Sequence, residues 1–360
     1  MKRILTLLFT VCIVCIHAQT DSVYTTSIRA NIQNGIIIPE YDFISYLSEG
    51  YTHGCEVNFQ KQSTGKNIWQ ELYRYPSWGC SFFYSSMSNN KVFGEQYSLY
   101  PYYALHLVRK KNFDFSYQMG VGAAWATKHF DRVDDRENLA IGTHINIHYH
   151  ADLITRFRVT DHLYANAGIS FSHISNANLG EPNVGINIAS VYAGFSYGIG
   201  KKSALTKQQV DAFPKKIIYE AIVSAGLKHT RTFEAFSYPA AAVSLNVKLR
   251  RRYKFSWGPG ADVFYDSSVE PQIIRLGREF KPSYAWMTGI HIDEEFIYDK
   301  VSLILEEGAY IGFKEKLNNY PIYNRAVVRY HFGEHFFASV SMKTHLYVLD
   351  FPELGAGFYW

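Results

Sequence analysis

A stretch of strict two-residue alternation constrains the fold of this chain more than any other feature. In residues 144–158 one set of alternate positions is mainly polar and the other is mainly apolar. A β-strand has this period because its successive side chains point to opposite faces of the sheet. An ordinary strand averages about five or six residues, whereas a tilted transmembrane strand needs about nine to eleven. The pattern therefore predicts a strand long enough to cross a membrane.

The same pattern recurs in other parts of the chain. Residues 97–109 and 187–199 also alternate, and turn-forming residues separate such segments. The chain is 16% aromatic, as expected where one strand face meets lipid and aromatic girdles mark the membrane interfaces. We count eight strands between residues 23 and 199, with short connections alternating with long ones. These observations predict an all-β protein, an antiparallel outer-membrane β-barrel.

The C-terminal half is predicted to contain about eight more strands after a polar linker, residues 201–215. Residues 337–345 resemble residues 164–173, and residues 355–359 resemble residues 193–197. This is the pattern of a diverged duplication. Two architectures fit, namely one wide barrel of about sixteen strands or two small barrels. The predicted regions are 19–200 for the first barrel and 216–360 for the second, a degenerate repeat on this interpretation.

The N-terminus has the three regions of a cleaved signal peptide. Lys2 and Arg3 precede an apolar run, and Ala18 precedes a polar segment, so residues 1–18 are predicted to direct export. The apolar run is too short for a transmembrane helix, which needs about 20 residues. Without Lys2 and Arg3 the net charge falls from +4 to +2, which argues against nucleic acid as a partner.

Reactive residue types cluster where one predicted strand ends. His173 and Ser175 are two residues apart, so they point the same way on the apolar face of residues 163–175. A general base beside a hydroxyl nucleophile is the arrangement used in acyl transfer. Asn176 and Asn183 can donate to an oxyanion without carrying charge. Asn187 opens the next strand on the same face and can orient His173 by a hydrogen bond.

These residues carry a family resemblance. His173-x-Ser175-Asn176, the Pro182-Asn183-x-Gly185 loop and the upstream segment 140–142 are similar to the outer-membrane lipid A 3-O-deacylase (PagL) family. Members are eight-stranded barrels that remove an ester-linked acyl chain from lipid A, at a site on the lipid-facing exterior. The resemblance covers about residues 23–199.

The resemblance implies an outer-membrane esterase acting on lipid A, lipopolysaccharide or a related glycolipid, with outer-membrane lipid around it and no cofactor or metal. Ser175 matches the nucleophile and His173 the catalytic histidine, while Asn176 and Asn183 match residues that line the oxyanion hole. Asn187 departs from the family pattern, because the best-studied members have an acidic residue there. An amide can orient a histidine but cannot stabilise an imidazolium by charge.

Other interpretations of the chain remain open at this point. A non-catalytic barrel, acting as a pore, a structural protein or a binding protein, is the main rival, and a secreted soluble β-sandwich is a third reading. His144, His148 and His150 share a face, which fits a hydrogen-bonded barrel lumen better than a metal site. Cys55 and Cys80 fall on neighbouring predicted strands, either as a disulfide or as two small residues in a sheet.

Overall fold

The computed structural model of the protein describes residues 22–177, 180, 182–230, 237–346 and 348–360. The predicted signal peptide lies outside these described residues. The chain divides into two units, the first containing strands β1–β8 and the second strands β9–β16. Each unit is a closed antiparallel barrel of eight strands. The outer-membrane barrel prediction is confirmed, and of the two architectures the structure shows two small barrels.

The first barrel is an up-and-down arrangement in which each strand pairs with its neighbours in sequence. Closure comes from β1 and β8, which pair along most of their length from Ser22 opposite Ala204 to Ile38 opposite Asn187. The strands are β1 Ser22–Ile38, β2 Thr52–Gln62, β3 Ser77–Ser86, β4 Glu95–Arg109, β5 Phe113–Ala126, β6 Ile145–Arg158, β7 Leu163–Ser175 and β8 Ile186–Ala204.

The second barrel repeats this plan and closes through β9 and β16, where Leu354 to Tyr359 pair with Ala225 to Glu220. The strands are β9 Lys216–Lys228, β10 Tyr238–Arg252, β11 Phe255–Asp266, β12 Trp286–Tyr298, β13 Val301–Tyr310, β14 Ile322–Phe332, β15 Phe336–His345 and β16 Val348–Tyr359. Trp78 and Trp257 each lie in a Ser-Trp-Gly triplet on the third strand of their barrel.

Helical segments are short and lie in connections. They are α1 Asp42–Leu47, α2 Ile68–Leu72, α3 Val269–Arg275 and a 3-10 turn at Pro282–Ala285. No helix within the described ranges is long and apolar enough to cross a membrane.

The alternation read from the sequence is reproduced in the burial of side chains. Along β6 the even positions from Asn146 to Ile154 are buried in the lumen, whereas Ile145 and Leu153 are exposed on the outside. Glu56, Gln118 and Arg29 join this polar lumen. An eight-stranded barrel is just wide enough for its interior to be filled by side chains. A packed polar lumen does not favour the pore alternative.

The connections of the first barrel depart from strict alternation of short and long at one place. Segments 39–51, 87–94, 127–144 and 176–185 lie at one end, and the short turns 110–112 and 159–162 lie at the other. The long segment 63–76 lies at the end with the short turns. There it receives Gln208, whose side chain donates to the Gly65 carbonyl at 2.7 Å.

Candidate active site

The site lies where β7 and β8 leave the long-loop end of the first barrel. The backbone alternation of β7 buries Ile174 and leaves His173 and Ser175 half-buried on the exterior face. On β8, Asn187 is the direct cross-strand partner of His173. Neighbouring positions in an antiparallel pair bring their side chains to about 5 Å. The register between the two strands thus places an amide beside the histidine ring.

Asn187, His173 and Ser175 form a hydrogen-bonded row. His173 Nδ1 lies 2.7 Å from Asn187 Oδ1, and His173 Nε2 lies 2.9 Å from Ser175 Oγ. An amide oxygen can only accept, so this bond requires the proton on Nδ1. Nε2 then carries a lone pair that accepts from the serine hydroxyl. This tautomer is the one in which a histidine can take a proton from a serine.

The two other predicted residues meet in the loop that follows β7. The Asn176 backbone N–H donates to Asn183 Oδ1 at 2.8 Å, and Asn176 is buried at 3% exposure. The oxygen end of Asn183 is therefore engaged with the backbone, and its Nδ2 end is the one that can donate to a developing oxyanion. The bond fixes the start of the loop relative to Asn183. The oxyanion roles of Asn176 and Asn183 stay predictions.

Gly185 packs directly against the histidine. Its φ of +82° is in the left-handed region that favours glycine. A Cβ at this position would lie 2.6 Å from His173 Cε1 and 3.2 Å from Nε2. The Gly185 N–H donates to the Ala140 carbonyl at 2.9 Å. Because Gly185 has no side chain, the loop packs directly against the imidazole. The hydrogen bond to Ala140 connects the loop to the 127–144 segment.

A compact apolar cluster supports the ends of β7 and β8 from inside the barrel. Ile174 and Ile186 flank the site residues in sequence and point inward, each 1% exposed. They pack with apolar residues from the loops at that end, including Phe93 and Ile141. Burial of each such side chain contributes about 1.5–3 kcal/mol. A packed apolar cluster inside the barrel therefore supports the row on the exterior.

An apolar groove lies on the same outer face as the row. It has a volume of about 660 Å³ and crosses five adjacent strands, β5 to β8 and β1. Phe171 is two residues before His173 on β7, and Ala189 is two residues after Asn187 on β8, so both wall residues are next on the same face as the row. The rest of the wall includes Ile36, Leu153 and Val191.

The structure brings His173, Ser175 and Asn187 together and separately joins Asn176 to Asn183. Sequence reasoning missed the groove, because its wall comes from five strands and no single segment signals it. It also missed the contact between Gly185 and His173, although Gly185 belongs to the loop that carries the family resemblance.

The histidines of β6 belong to a closed hydrogen-bond network in the lumen. His150 Nε2 lies 3.0 Å from Asp152 Oδ1, and its Nδ1 lies 3.3 Å from His148 Nε2. Glu56 is engaged by the Tyr100 hydroxyl and by Arg29. Although Glu56, His150 and Asp152 are close enough to share an ion, these contacts already occupy them. The lumen-packing interpretation fits this arrangement. Cys55 and Cys80 are both free and exposed.

Fold and site together define a class, the outer-membrane type of closed antiparallel barrel with a polar serine–histidine–amide row on its exterior. Two protein families match the sequence. Lipid A 3-O-deacylase (PagL) matches residues 53–196, and the C-terminal domain of acyloxyacyl hydrolase matches residues 217–360. Together the matches span four fifths of the chain. The chain belongs to the PagL family of outer-membrane hydrolases.

Solved structures with similarity to the chain include outer-membrane proteins. The outer membrane enzyme PagL is 17% identical, with 47% of this chain and 99% of that chain covered and a TM-score of 0.30. Omp33 of Acinetobacter baumannii is 8% identical, with 95% and 100% covered and a TM-score of 0.19. An outer membrane channel of Pseudomonas putida F1 is 9% identical, with 96% and 98% covered and a TM-score of 0.20. No curated protein matches the chain.

Proposed function

We propose that this protein is an outer-membrane esterase that hydrolyses an ester-linked acyl chain of lipid A or a related glycolipid. The observation that carries the proposal is the Asn187–His173–Ser175 row on the outer face of the barrel. In a membrane that face meets lipid, so an ester at the base of a lipid headgroup can reach Ser175. Membership of the PagL family supports the substrate class.

In this mechanism Ser175 Oγ attacks the ester carbonyl while His173 Nε2 takes the hydroxyl proton. His173 then gives that proton to the departing sugar hydroxyl, and the acyl group stays on Ser175 as an ester. Water, activated by the same nitrogen, releases the fatty acid and restores the serine. Asn187 holds the Nδ1–H tautomer throughout, and Asn183 and Asn176 are assigned to the oxyanion. The apolar groove is the place for the acyl chain.

The proposal includes a division of the chain. Residues 1–18 are a signal peptide, residues 19–200 a deacylase-like barrel, residues 201–215 a linker and residues 216–360 a second barrel region. The strand β8 runs to Ala204, so the first four residues of that linker continue the barrel wall.

Lipid A mass spectrometry tests the function. Cells expressing the wild type should show lipid A that lacks one ester-linked chain, and cells expressing Ser175→Ala should not. Ser172→Ala is the matched control, because Ser172 is on the same strand but buried in the lumen at 4% exposure. It should retain the wild-type activity. Identical acylation in wild type and Ser175→Ala, across several lipid A types, would refute the esterase.

A further inference from the structure

The lumen of the second barrel holds an excess of buried negative charge. Three buried cations, Lys248, Arg325 and Arg329, make its central ion pairs. They face six buried carboxylates: Glu220, Asp262, Asp293, Glu295, Glu306 and Glu353. With the histidines neutral, six negative charges against three positive ones leave an excess of three, because the two other lysines of this lumen, Lys228 and Lys343, are matched by Asp266 and Asp350. Burying unpaired charge is costly, so a bound cation is favoured in such a place.

Three donor groups of this lumen converge closely enough to share one ion. His291 and Asp293 lie on β12, and Glu306 on β13 is the direct cross-strand partner of Asp293. A ligand atom from each of the three lies within 4.8 Å of the others. A single ion bonded at about 2.0–2.4 Å can span donors up to about this separation.

Several buried polar atoms in this cluster have no hydrogen-bond partner among the described residues. His291 Nε2 and Asp293 Oδ1 have no hydrogen-bond partner among the described residues, although His291 is 3% exposed and Asp293 is 0% exposed. Asn246 Oδ1 is a third such atom, and the Asn246 amide nitrogen donates to Asp293 Oδ2 at 3.3 Å. Buried polar atoms are nearly always satisfied, so several at one place call for a ligand.

The missing side chain of Gly260 lets His291 and Asn246 approach each other. A Cβ there would lie 2.3 Å from His291 Nε2 and 2.4 Å from Asn246 Oδ1. The two atoms are therefore at most 4.7 Å apart, the sum of these distances. Gly260 is the cross-strand partner of Asn246 on one side and of His291 on the other. Any larger residue at this position would displace at least one of the two atoms.

The hydrogen bonds around the cluster resemble those around a metal-binding histidine. His291 Nδ1 lies 2.6 Å from Asp262 Oδ2, so Nδ1 carries a proton, and in the neutral imidazole Nε2 presents its lone pair. A carboxylate on the far nitrogen is the usual partner of a metal-ligating imidazole. Asp293 Oδ2 accepts from Lys248 Nζ at 3.1 Å, and Glu306 Oε2 accepts from Arg325 at 3.0 Å. Each carboxylate therefore keeps its second oxygen for an ion.

We propose that His291, Asp293, Glu306 and Asn246 bind one divalent transition-metal ion, of the Zn²⁺ or Mn²⁺ kind, in the lumen of the second barrel. The imidazole ligand selects this class over Ca²⁺ and Mg²⁺, which prefer oxygen ligands alone. The first barrel provides the contrast, because its Glu56–His150–Asp152 cluster is closed by its own hydrogen bonds.

The test measures Zn²⁺ bound to the full-length, untagged protein in detergent micelles, by equilibrium dialysis with elemental analysis. The wild type should hold one equivalent more than His291→Gln and Asp293→Asn, with at least about tenfold tighter binding. His150→Gln, in the other lumen, should bind as the wild type does. Equal amounts of bound Zn²⁺ in the wild type, His291→Gln and Asp293→Asn would overturn the proposal. Binding of Ca²⁺ as tight as that of Zn²⁺ would also overturn it.

A second variant separates loss of the site from loss of the fold. Gly260→Ala keeps every charge, but its methyl group would displace His291 and Asn246 from each other, so it should also lose the extra equivalent. Far-ultraviolet circular dichroism and heat-dependent gel migration show whether each barrel has folded. Independently of any variant, Zn²⁺ should raise the unfolding temperature of the wild type in a saturable way, whereas Mg²⁺ should not. No such rise with Zn²⁺ in folded wild type would refute the site.

Discussion

Changing Asn187 to Asp should make the proposed enzyme faster. The two side chains have nearly the same shape, so a carboxylate oxygen can occupy the Oδ1 position 2.7 Å from His173 Nδ1. During attack by Ser175 the imidazole becomes positively charged. Two charges about 4 Å apart attract by about 4 kcal/mol at an effective dielectric constant of about 20. Desolvating the half-buried carboxylate offsets part of this.

The net gain follows from measured charged hydrogen bonds, which contribute about 1.5–3 kcal/mol. Since about 1.4 kcal/mol corresponds to a tenfold rate change, kcat should rise about 10- to 150-fold. The assay is release of fatty acid from lipopolysaccharide by purified protein in mixed micelles. Asn187→Leu serves as the opposite control, because it removes the hydrogen bond that selects the tautomer and should lower kcat by about a thousandfold. A folded Asn187→Asp protein with unchanged or lower kcat would refute the reasoning.

Three further predictions concern the support of the site and the lumen. Gly185→Ala should lower kcat at least about 100-fold, because its methyl group would displace the His173 ring from Ser175; kinetics on a short-chain nitrophenyl ester would measure this, and an unchanged kcat would contradict it. Ala189→Trp should fill the groove and raise KM for long-chain esters relative to short ones, since each buried CH₂ contributes about 0.8 kcal/mol; equal effects on both chain lengths would argue against acyl binding there. Lys248→Met should destabilise the second barrel by about 3–5 kcal/mol, because three carboxylates lie within 3.3 Å of the Lys248 ammonium; denaturant unfolding in detergent would measure this loss, and an unchanged midpoint would refute it.

Period-two alternation predicted which way the catalytic residue types face because it depends only on local backbone geometry. In a strand, His173 and Ser175 must share a face, and the apolar residues before them indicate that this face is the exterior. The barrel number could not be obtained in the same way. Closure depends on pairing between strands far apart in sequence, such as β1 with β8, and the pattern of one strand carries no record of its distant partner.

The similarity between residues 337–345 and 164–173 shows how one residue limits such reasoning. Sequence similarity aligned His345 with His173, yet the first segment has nine residues and the second has ten. With a period of two, a difference of one residue moves a side chain to the opposite face. In the structure His345 is buried in the lumen, where its Nε2 lies 2.8 Å from the Tyr310 hydroxyl. His345 therefore does not occupy the exterior position that His173 has in the first barrel.

The sequence could suggest the site but not establish it, because the geometry of the site depends on strand register and on the conformation of one loop. The pairing of His173 with Asn187 requires the 176–185 loop to have the length that brings these two residues opposite each other. The same loop must lie close to the imidazole, and Gly185 permits this only because it lacks a side chain and adopts a positive φ. A motif of residue types thus indicates which chemistry is available. Whether the groups meet also depends on Gly185, which takes no part in that chemistry, so variants of Gly185 test the site as directly as variants of the row.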